Sequence, residues 1–359
     1  MERIKVVILG PASAADLERI AAVDPRILVL DGRGKFDSEY LRTWPPETAR
    51  LHPGNRAKEV VDDDQYCAQQ MDRDALLGSA DVACIGFPFP NLLISRAPRL
   101  KWVHQLPAGV SNLRFGDIWG CSVPVTSSRG YRNSTAHAEW VLATILMFAK
   151  DLPRSIADKQ AGAYDRRLYR LRSVAGKTVG IVGLGGIGRE VARLARALGM
   201  RTVGTRRSIT SRLADAEGVD LLLPPSDLSH LLAEADFVVI AAQSTPETNG
   251  MIGRAEIGVM KPTSYLINVA RGEIVDESAL IEALNEGTIA GAALDVREAE
   301  FERPPSQEFL SAPNLFFAPH ISGGTDLPPN SGIELFCQNL ERFLAGEDLV
   351  NRVDWERGY

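Results

Sequence analysis

The chain has 359 residues, 45% of them hydrophobic and 24% charged, an ordinary globular composition long enough for about two domains. Its formal net charge of -6 at pH 7 supplies no field to hold nucleic acid or an anionic membrane, so neither is expected as a partner. Four scattered cysteines (Cys67, Cys84, Cys121 and Cys337), with no CxxC or Cys/His ligand spacing, argue against a metal site and for a reducing, cytoplasmic compartment.

Residues 1–130 alternate short apolar runs with helical patterns. The first run, Lys5–Leu9, ends at Gly10 and reads as a buried strand, not as a cleavable leader. Further strands are expected at Ile27–Leu30, Val82–Gly86, Trp102–Gln105 and Pro124–Thr126, a βαβ rhythm that implies a parallel sheet covered by helices. Between Gly32 and Gln70 the rhythm breaks on Pro45-Pro46, Pro53-Gly54 and Asp62-Asp63-Asp64. That stretch reads as irregular surface structure with at most short helices. Ala136–Leu152 is helical and mostly apolar, and its longest apolar run, Trp140–Ala149, is too short to span a bilayer.

After a basic stretch, Arg154–Arg172, a second and cleaner βαβ series runs from Thr178 to Ile321. Its strands are expected at Val179–Val182, Arg201–Gly204, Phe237–Ala241, Tyr265–Val269, Gly291–Val296 and Leu315–Ala318. Asn330–Leu344 then reads as an amphipathic helix with Ile333, Leu335, Phe336, Leu340, Phe343 and Leu344 facing inward. The expected fold is α/β, with two Rossmann-like, doubly wound parallel-sheet domains.

The second series opens on a GxGxxG run at Gly183, Gly185 and Gly188, which includes Gly186 and Ile187. It follows an apolar strand and starts a helix, the context that the dinucleotide fingerprint requires. One glycine allows the tight turn, the next lets a pyrophosphate approach the backbone, and the third lets helix pack on strand. An NAD site usually carries an acid about 20 residues on, to bind ribose hydroxyls. Here that place holds Thr205-Arg206-Arg207-Ser208. Two guanidiniums and two hydroxyls suit a ribose 2′-phosphate, so NADP is preferred to NAD; a solvated basic loop is the plain alternative.

Three further segments follow strands of this domain: Asn268-Val269-Ala270-Arg271-Gly272, Asp295-Val296-Arg297-Glu298-Ala299-Glu300, and Pro319-His320-Ile321-Ser322-Gly323. Reduction of a 2-oxo acid needs, besides its reductant, a cation for the carboxylate, a proton donor for the carbonyl oxygen and a group to orient that donor. Arg271 offers a bidentate fork, His320 a proton near neutral pH, and Glu300 a carboxylate to hold the imidazole. Each alone is commonplace; their joint placement is what points to catalysis.

These segments, with Gly176–Gly188 and Ala290–Val296, resemble the D-isomer-specific 2-hydroxyacid dehydrogenases, most nearly the glyoxylate/hydroxypyruvate reductases. The resemblance covers Trp102 to the C-terminus well and the first hundred residues only in rhythm. It implies Arg271 as carboxylate anchor, Glu300 as support for the histidine and His320 as proton donor. It further implies Asp295, with the Ala270 backbone, at the nicotinamide amide, and cofactor contacts from Ser134, Thr245 and Gly323. Leu106-Pro107-Ala108-Gly109-Val110 matches the loop whose amides, at Ala108 and Gly109, bind the substrate carboxylate. The implied organisation is a substrate domain of residues 1–130 and 325–359, a dinucleotide domain of 131–324, an interdomain cleft and a homodimer. Phe301 stands where the family has proline, which leaves Glu298 as a rival to Glu300. Ala242-Gln243-Ser244 replaces the usual Pro-Leu before Thr245, and Arg206 occupies the place of the NAD-type acid.

Other histidines carry weaker expectations. His104 precedes the substrate loop and is open to lining the cleft; His52, His137 and His230 read as structural or solvated. Phe87-Pro88-Phe89-Pro90 is open to facing a substrate side chain or to simple packing. The expected activity is reduction of a small 2-oxo acid to the D-2-hydroxy acid. A cofactor-sensing regulator of the same fold, like the dehydrogenase-related corepressors, is the alternative from another class. Formate or phosphite oxidation lacks any specialised residue here.

Overall fold

A computed structural model describes residues 3–44, 63–130, 134–300, 303–326 and 332–358. The chain divides into two units: Met1–Arg132 with Phe301–Arg303 and Leu327–Tyr359, and Asn133–Glu300 with Pro304–Asp326.

In the first unit, strands β1 (Ile4–Ile8), β2 (Ile27–Asp31), β3 (Val82–Ile85), β4 (Trp102–Gln105) and β5 (Val125–Ser127) form one parallel sheet in the order β2-β1-β3-β4-β5. Alternation along β1 explains its two-sided cover. Val7 joins a cluster with Phe36, Trp44 and Phe89, while Val6 and Ile8 meet Trp102 and the C-terminal helix Gly332–Ala345. That helix buries Ile333, Leu335, Phe336 and Leu340 completely, as its amphipathic pattern implied. Its expected start at Asn330 lies outside the described residues.

The broken stretch after Gly32 holds more helix than its composition suggested. Helix Asp37–Thr43 sits inside it, and a 17-residue helix, Asp63–Ser79, begins within it. Phe36, Tyr40 and Trp44, four residues apart, line one buried face. Glu39, 1% exposed, is gripped by Arg96 at 2.6 and 3.1 Å and lies 3.4 Å from Arg73. Such an anchor between distant residues is invisible to a local pattern. The irregular reading of residues 45–62 lies outside the described residues.

The second unit carries β6 (Thr178–Val182), β7 (Arg201–Thr205), β8 (Leu213–Ala216), β9 (Val219–Leu223), β10 (Phe237–Ile240), β11 (Tyr265–Asn268), β12 (Gly291–Leu294) and β13 (Leu315–Phe317), in the order β13-β12-β11-β10-β6-β7-β9-β8. All pairings are parallel except β8 with β9. The chain leaves β6 toward β7 on one side and returns to β10 on the other, a topological switch point where such sheets bind ligands. The β8–β9 hairpin was not anticipated, because Leu213-Ala214-Asp215-Ala216 is largely exposed and carries no clear alternation. The long apolar helix runs Ser134–Ala149, and a second helix, Leu152–Ala161, begins just before the basic stretch and runs into it, with Pro153 in its first turn. Among the described residues no helix is long and apolar enough to cross a membrane.

His104 is buried in β4, with Nδ1 2.8 Å from Thr126 Oγ1 and Nε2 3.1 Å from Ser128 Oγ. It is a core residue, so the option that it lines a cleft is withdrawn. Burial pushes its pKa down to about 3, against a hydrogen bond to the Gly332 backbone that works to raise it. The folded imidazole stays neutral while the unfolded chain takes up a proton below about pH 6.5. Stability from this residue therefore falls on acidification, by about 1.4 kcal/mol per pH unit between about pH 6.5 and the folded value. Urea unfolding of His104→Gln at about pH 7 and about pH 5 should show a smaller acid loss than the parent by roughly 2 kcal/mol. Equal acid losses would contradict the buried neutral assignment.

Candidate active site

The strand β6 runs out into Gly183-Leu184-Gly185, and helix Gly186–Ala197 begins at once. Gly183 stands at φ 98°, and a Cβ there would lie 2.6 Å from the Ala242 backbone. Only glycine meets both demands. A Cβ on Gly188 would strike the Gly183 carbonyl, so helix and strand close up because none is present. At Gly185, the N-cap, a Cβ would meet nothing within 4 Å, and no side chain caps the helix. The helix start thus turns backbone N–H groups and its positive dipole end toward open space. Ser134 borders this turn, its Oγ 2.9 Å from where a Gly186 Cβ would be, while Ile187 packs partly into the core.

At the end of β11, Asn268 shapes the next segment. Its Nδ2 donates to the Arg271 carbonyl at 2.9 Å and its Oδ1 accepts from the Ala270 N–H at 3.0 Å. Gly272 lies so close to Arg297 and Glu298 that a Cβ would overlap their backbone. The segments that follow β11 and β12 are therefore stacked in direct contact. Arg271 is half-buried, with Nη1 2.6 Å from the Ala270 carbonyl. Burial draws its guanidinium below the usual arginine value, against the charges of Glu300 and Glu273. Neither Asn268 nor Gly272 was singled out from sequence, although an Asn closing an apolar strand and a Gly after the Arg were both legible.

Glu300 and His320 meet directly: Glu300 Oε1 is 2.8 Å from His320 Nδ1. Glu300, not Glu298, makes this contact. The backbone passes through the left-handed region at Ala299 (φ 51°) and at His320 itself (φ 56°), conformations that L-residues adopt at a cost. Asp295 holds the second of these turns in place. Its carbonyl accepts from His320 N at 2.8 Å, and its buried carboxylate accepts from Ile321 N at 2.7 Å, Ser322 N at 3.0 Å and Ser322 Oγ. Gly323 packs on the His137 ring, where a Cβ would stand 2.6 Å away. Arg271, Glu300 and His320 all lie in the second unit: Glu300 contacts His320 directly, and its charge also acts on the Arg271 guanidinium.

On the other side of the glycine turn, Thr205 accepts from Leu184 N through its carbonyl at 2.9 Å, and Arg206 follows. Arg206 pairs with Glu217, and Glu217 also meets Arg189 Nη2 at 2.8 Å. Arg207 approaches Glu247 at 3.4 Å and Ser208 is exposed. Thr245 is buried and takes part in a turn with Thr248, its N–H donating to Thr248 Oγ1 at 2.8 Å. Ala108 and Gly109 belong to the first unit, where the Gln105 amide braces their loop through the Gly109 carbonyl and Asn112.

Comparison with known proteins bears on the same segments. Residues 142–322 match the family model for the NAD binding domain of the D-isomer specific 2-hydroxyacid dehydrogenases. A glyoxylate reductase of Thermococcus gammatolerans is 39% identical over 292 residues, 78% of this chain and 84% of the relative. The chain belongs to this family. It is accordingly an NAD(P)-dependent 2-hydroxyacid dehydrogenase. The D-3-phosphoglycerate dehydrogenase of Methanocaldococcus jannaschii is 32% identical over 262 residues, 73% of this chain, and the chain spans 49% of its length. Among solved structures, an NADPH-dependent glyoxylate/hydroxypyruvate reductase from Sinorhizobium meliloti, held with NADP and sulfate, superposes with a TM-score of 0.73 at 25% identity, over 99% of this chain and all of that one.

Asp295 gives this dehydrogenase a measurable dependence. Asp295→Ala leaves the Ile321 and Ser322 donors without their acceptor, so the cofactor-free protein should lose roughly 2–4 kcal/mol of unfolding free energy. If the carboxylate served a bound ligand alone, denaturant unfolding of the cofactor-free variant would match the parent.

Proposed function

We propose that this chain reduces a small 2-oxo acid to the D-2-hydroxy acid with NADPH, with His320 giving the proton. The observation that carries the reading is the 2.8 Å contact between Glu300 Oε1 and His320 Nδ1, beside Arg271. Engagement of Nδ1 by a carboxylate leaves Nε2 to face the substrate carbonyl. Arg271 would hold the substrate carboxylate through its planar fork. Glu300 orients the ring, and Asp295 fixes the turn that carries it, in addition to any contact with the nicotinamide amide that the resemblance implies.

The residues at the glycine turn fit a dinucleotide. Gly185 leaves open the side on which the uncapped helix start faces outward, and Gly183 and Gly188 keep strand, turn and helix close. The turn Gly183–Gly188 would hold the pyrophosphate, with Ser134 at its border. When bound, the cofactor supplies the two electrons of the reduction. The preference for NADPH is supported by the absence of an acid at the end of β7, by Arg206 and Arg207 in that place, and by the NADP held in the Sinorhizobium meliloti relative. A homodimer belongs to the same reading and rests on the family alone, and a cytoplasmic setting rests on the cysteine pattern.

Steady-state oxidation of NADPH and NADH with glyoxylate, hydroxypyruvate, pyruvate and phenylpyruvate tests this directly. Turnover with at least one acid and a higher kcat/KM for NADPH is expected; cofactor binding without turnover would sink the reading in favour of a sensor. His320→Gln should lower kcat by about 10²–10⁴-fold with little change in cofactor affinity. Arg271→Lys should not restore the parent kcat/KM, because an ammonium lacks the bidentate fork.

A further inference from the structure

The hairpin β8–β9 brings a carboxylate to a place where the chain order alone puts only cations. Its two turn residues, Glu217 and Gly218, both have positive φ (52° and 86°), and Ala216 pairs with Val219 across them. That is the geometry of a tight two-residue hairpin turn. It carries the Glu217 carboxylate to Arg189, in the first turn of the helix that follows the glycines, and to Arg206, at the end of β7. Burial works to raise the Glu217 carboxyl, but hydrogen bonds from Arg189 and Arg206 overcome it and hold the group below the usual carboxylate range. A cavity of about 540 Å³ lies alongside, lined among others by Ser134, Gly186, Arg189 and Glu217. Arg189 and Glu217 thus border the space next to the proposed pyrophosphate turn, and Arg206 is tied to them through Glu217.

We propose that Glu217 is a specificity-determining residue that competes with a ribose 2′-phosphate for the guanidiniums of Arg189 and Arg206. This rests on the NADPH reading of the same site. A 2′-phosphate and a carboxylate want the same planar donors. A phosphate that takes them does so against a fixed negative charge, so Glu217 weakens the preference that the two arginines create. Its removal frees both guanidiniums and lifts the repulsion. An NADH ribose, which has no such phosphate, is indifferent to that charge.

The test is calorimetric binding of NADPH, NADH, adenosine 2′,5′-bisphosphate and AMP to the full chain, with Glu217→Gln, Glu217→Asn, Arg189→Gln and Arg206→Gln as variants. Asn is well suited to a positive φ, so Glu217→Asn guards against damage to the turn. Both Glu217 variants should bind NADPH and the bisphosphate about fivefold more tightly near physiological salt, with NADH and AMP unchanged. The gain should shrink as salt rises toward about 1 M. Arg189→Gln and Arg206→Gln should each weaken the 2′-phosphorylated ligands alone. Unchanged or weaker binding of the bisphosphate by both Glu217 variants overturns the proposal. So does a selective loss of NADH and AMP, which would make Glu217 an acceptor for ribose hydroxyls. The two failures separate cleanly: a parent that favours NADH removes the cofactor preference, whereas an unchanged bisphosphate affinity in the Glu217 variants removes only this role for Glu217.

Discussion

Parallel strands end on one edge, and in the second unit that edge receives the glycine turn after β6, Arg206 after β7, Arg271 after β11, Asp295 after β12 and His320 after β13. Crowding so many segments onto one edge requires backbones to touch. Gly183 lies against Ala242, Gly188 against the Gly183 carbonyl, and Gly272 against Arg297 and Glu298. At these places a methyl group would push apart the strands, turns and helices that bear the functional side chains. The chemistry of the site therefore depends on a packing constraint set by atoms that are missing.

A second layer of control lies in the loops. His320 and Ala299 sit in the left-handed region without being glycine, which costs about 1–3 kcal/mol each. The hydrogen bonds from the His320 loop to Asp295 offset that cost and leave the imidazole facing Glu300. Asn268 does the corresponding work for the Arg271 turn. In both cases a buried polar side chain at a strand end binds the backbone of the segment that carries the side chain meeting substrate in our reading, the half-buried Arg271 in one and the exposed His320 in the other. Rigidity is built into the residue that is hidden.

Charge is managed differently in the two units. Glu39 is sealed beneath Arg73 and Arg96, where it ties helices and loops of the first unit together. Glu217 holds its two arginines at a partly open surface, beside a cavity. A sealed pair resists exchange because separating it strands a buried charge, whereas an open pair can trade partners with an incoming anion. That difference is why the second cluster, and not the first, suits ligand recognition.

Much of the molecule was legible in one dimension. Strand positions followed from apolar runs of the right length, the glycine turn from its place between strand and helix, and the proposed catalytic trio from polar residues just past strands. All of these are local patterns, written in neighbouring residues. Relations between residues distant in sequence were decided only by the tertiary structure: Asp295 as the brace of the His320 loop, His104 as a neutral core residue, and the helices around the buried Glu39. The β8–β9 hairpin escaped because its exposed strand has no alternation to read, and with it went Glu217. Local sequence determines which elements form, since period and turn chemistry act over a few residues. Which side chains meet depends on closure of the sheet and its loops, and no short window of residues contains that information.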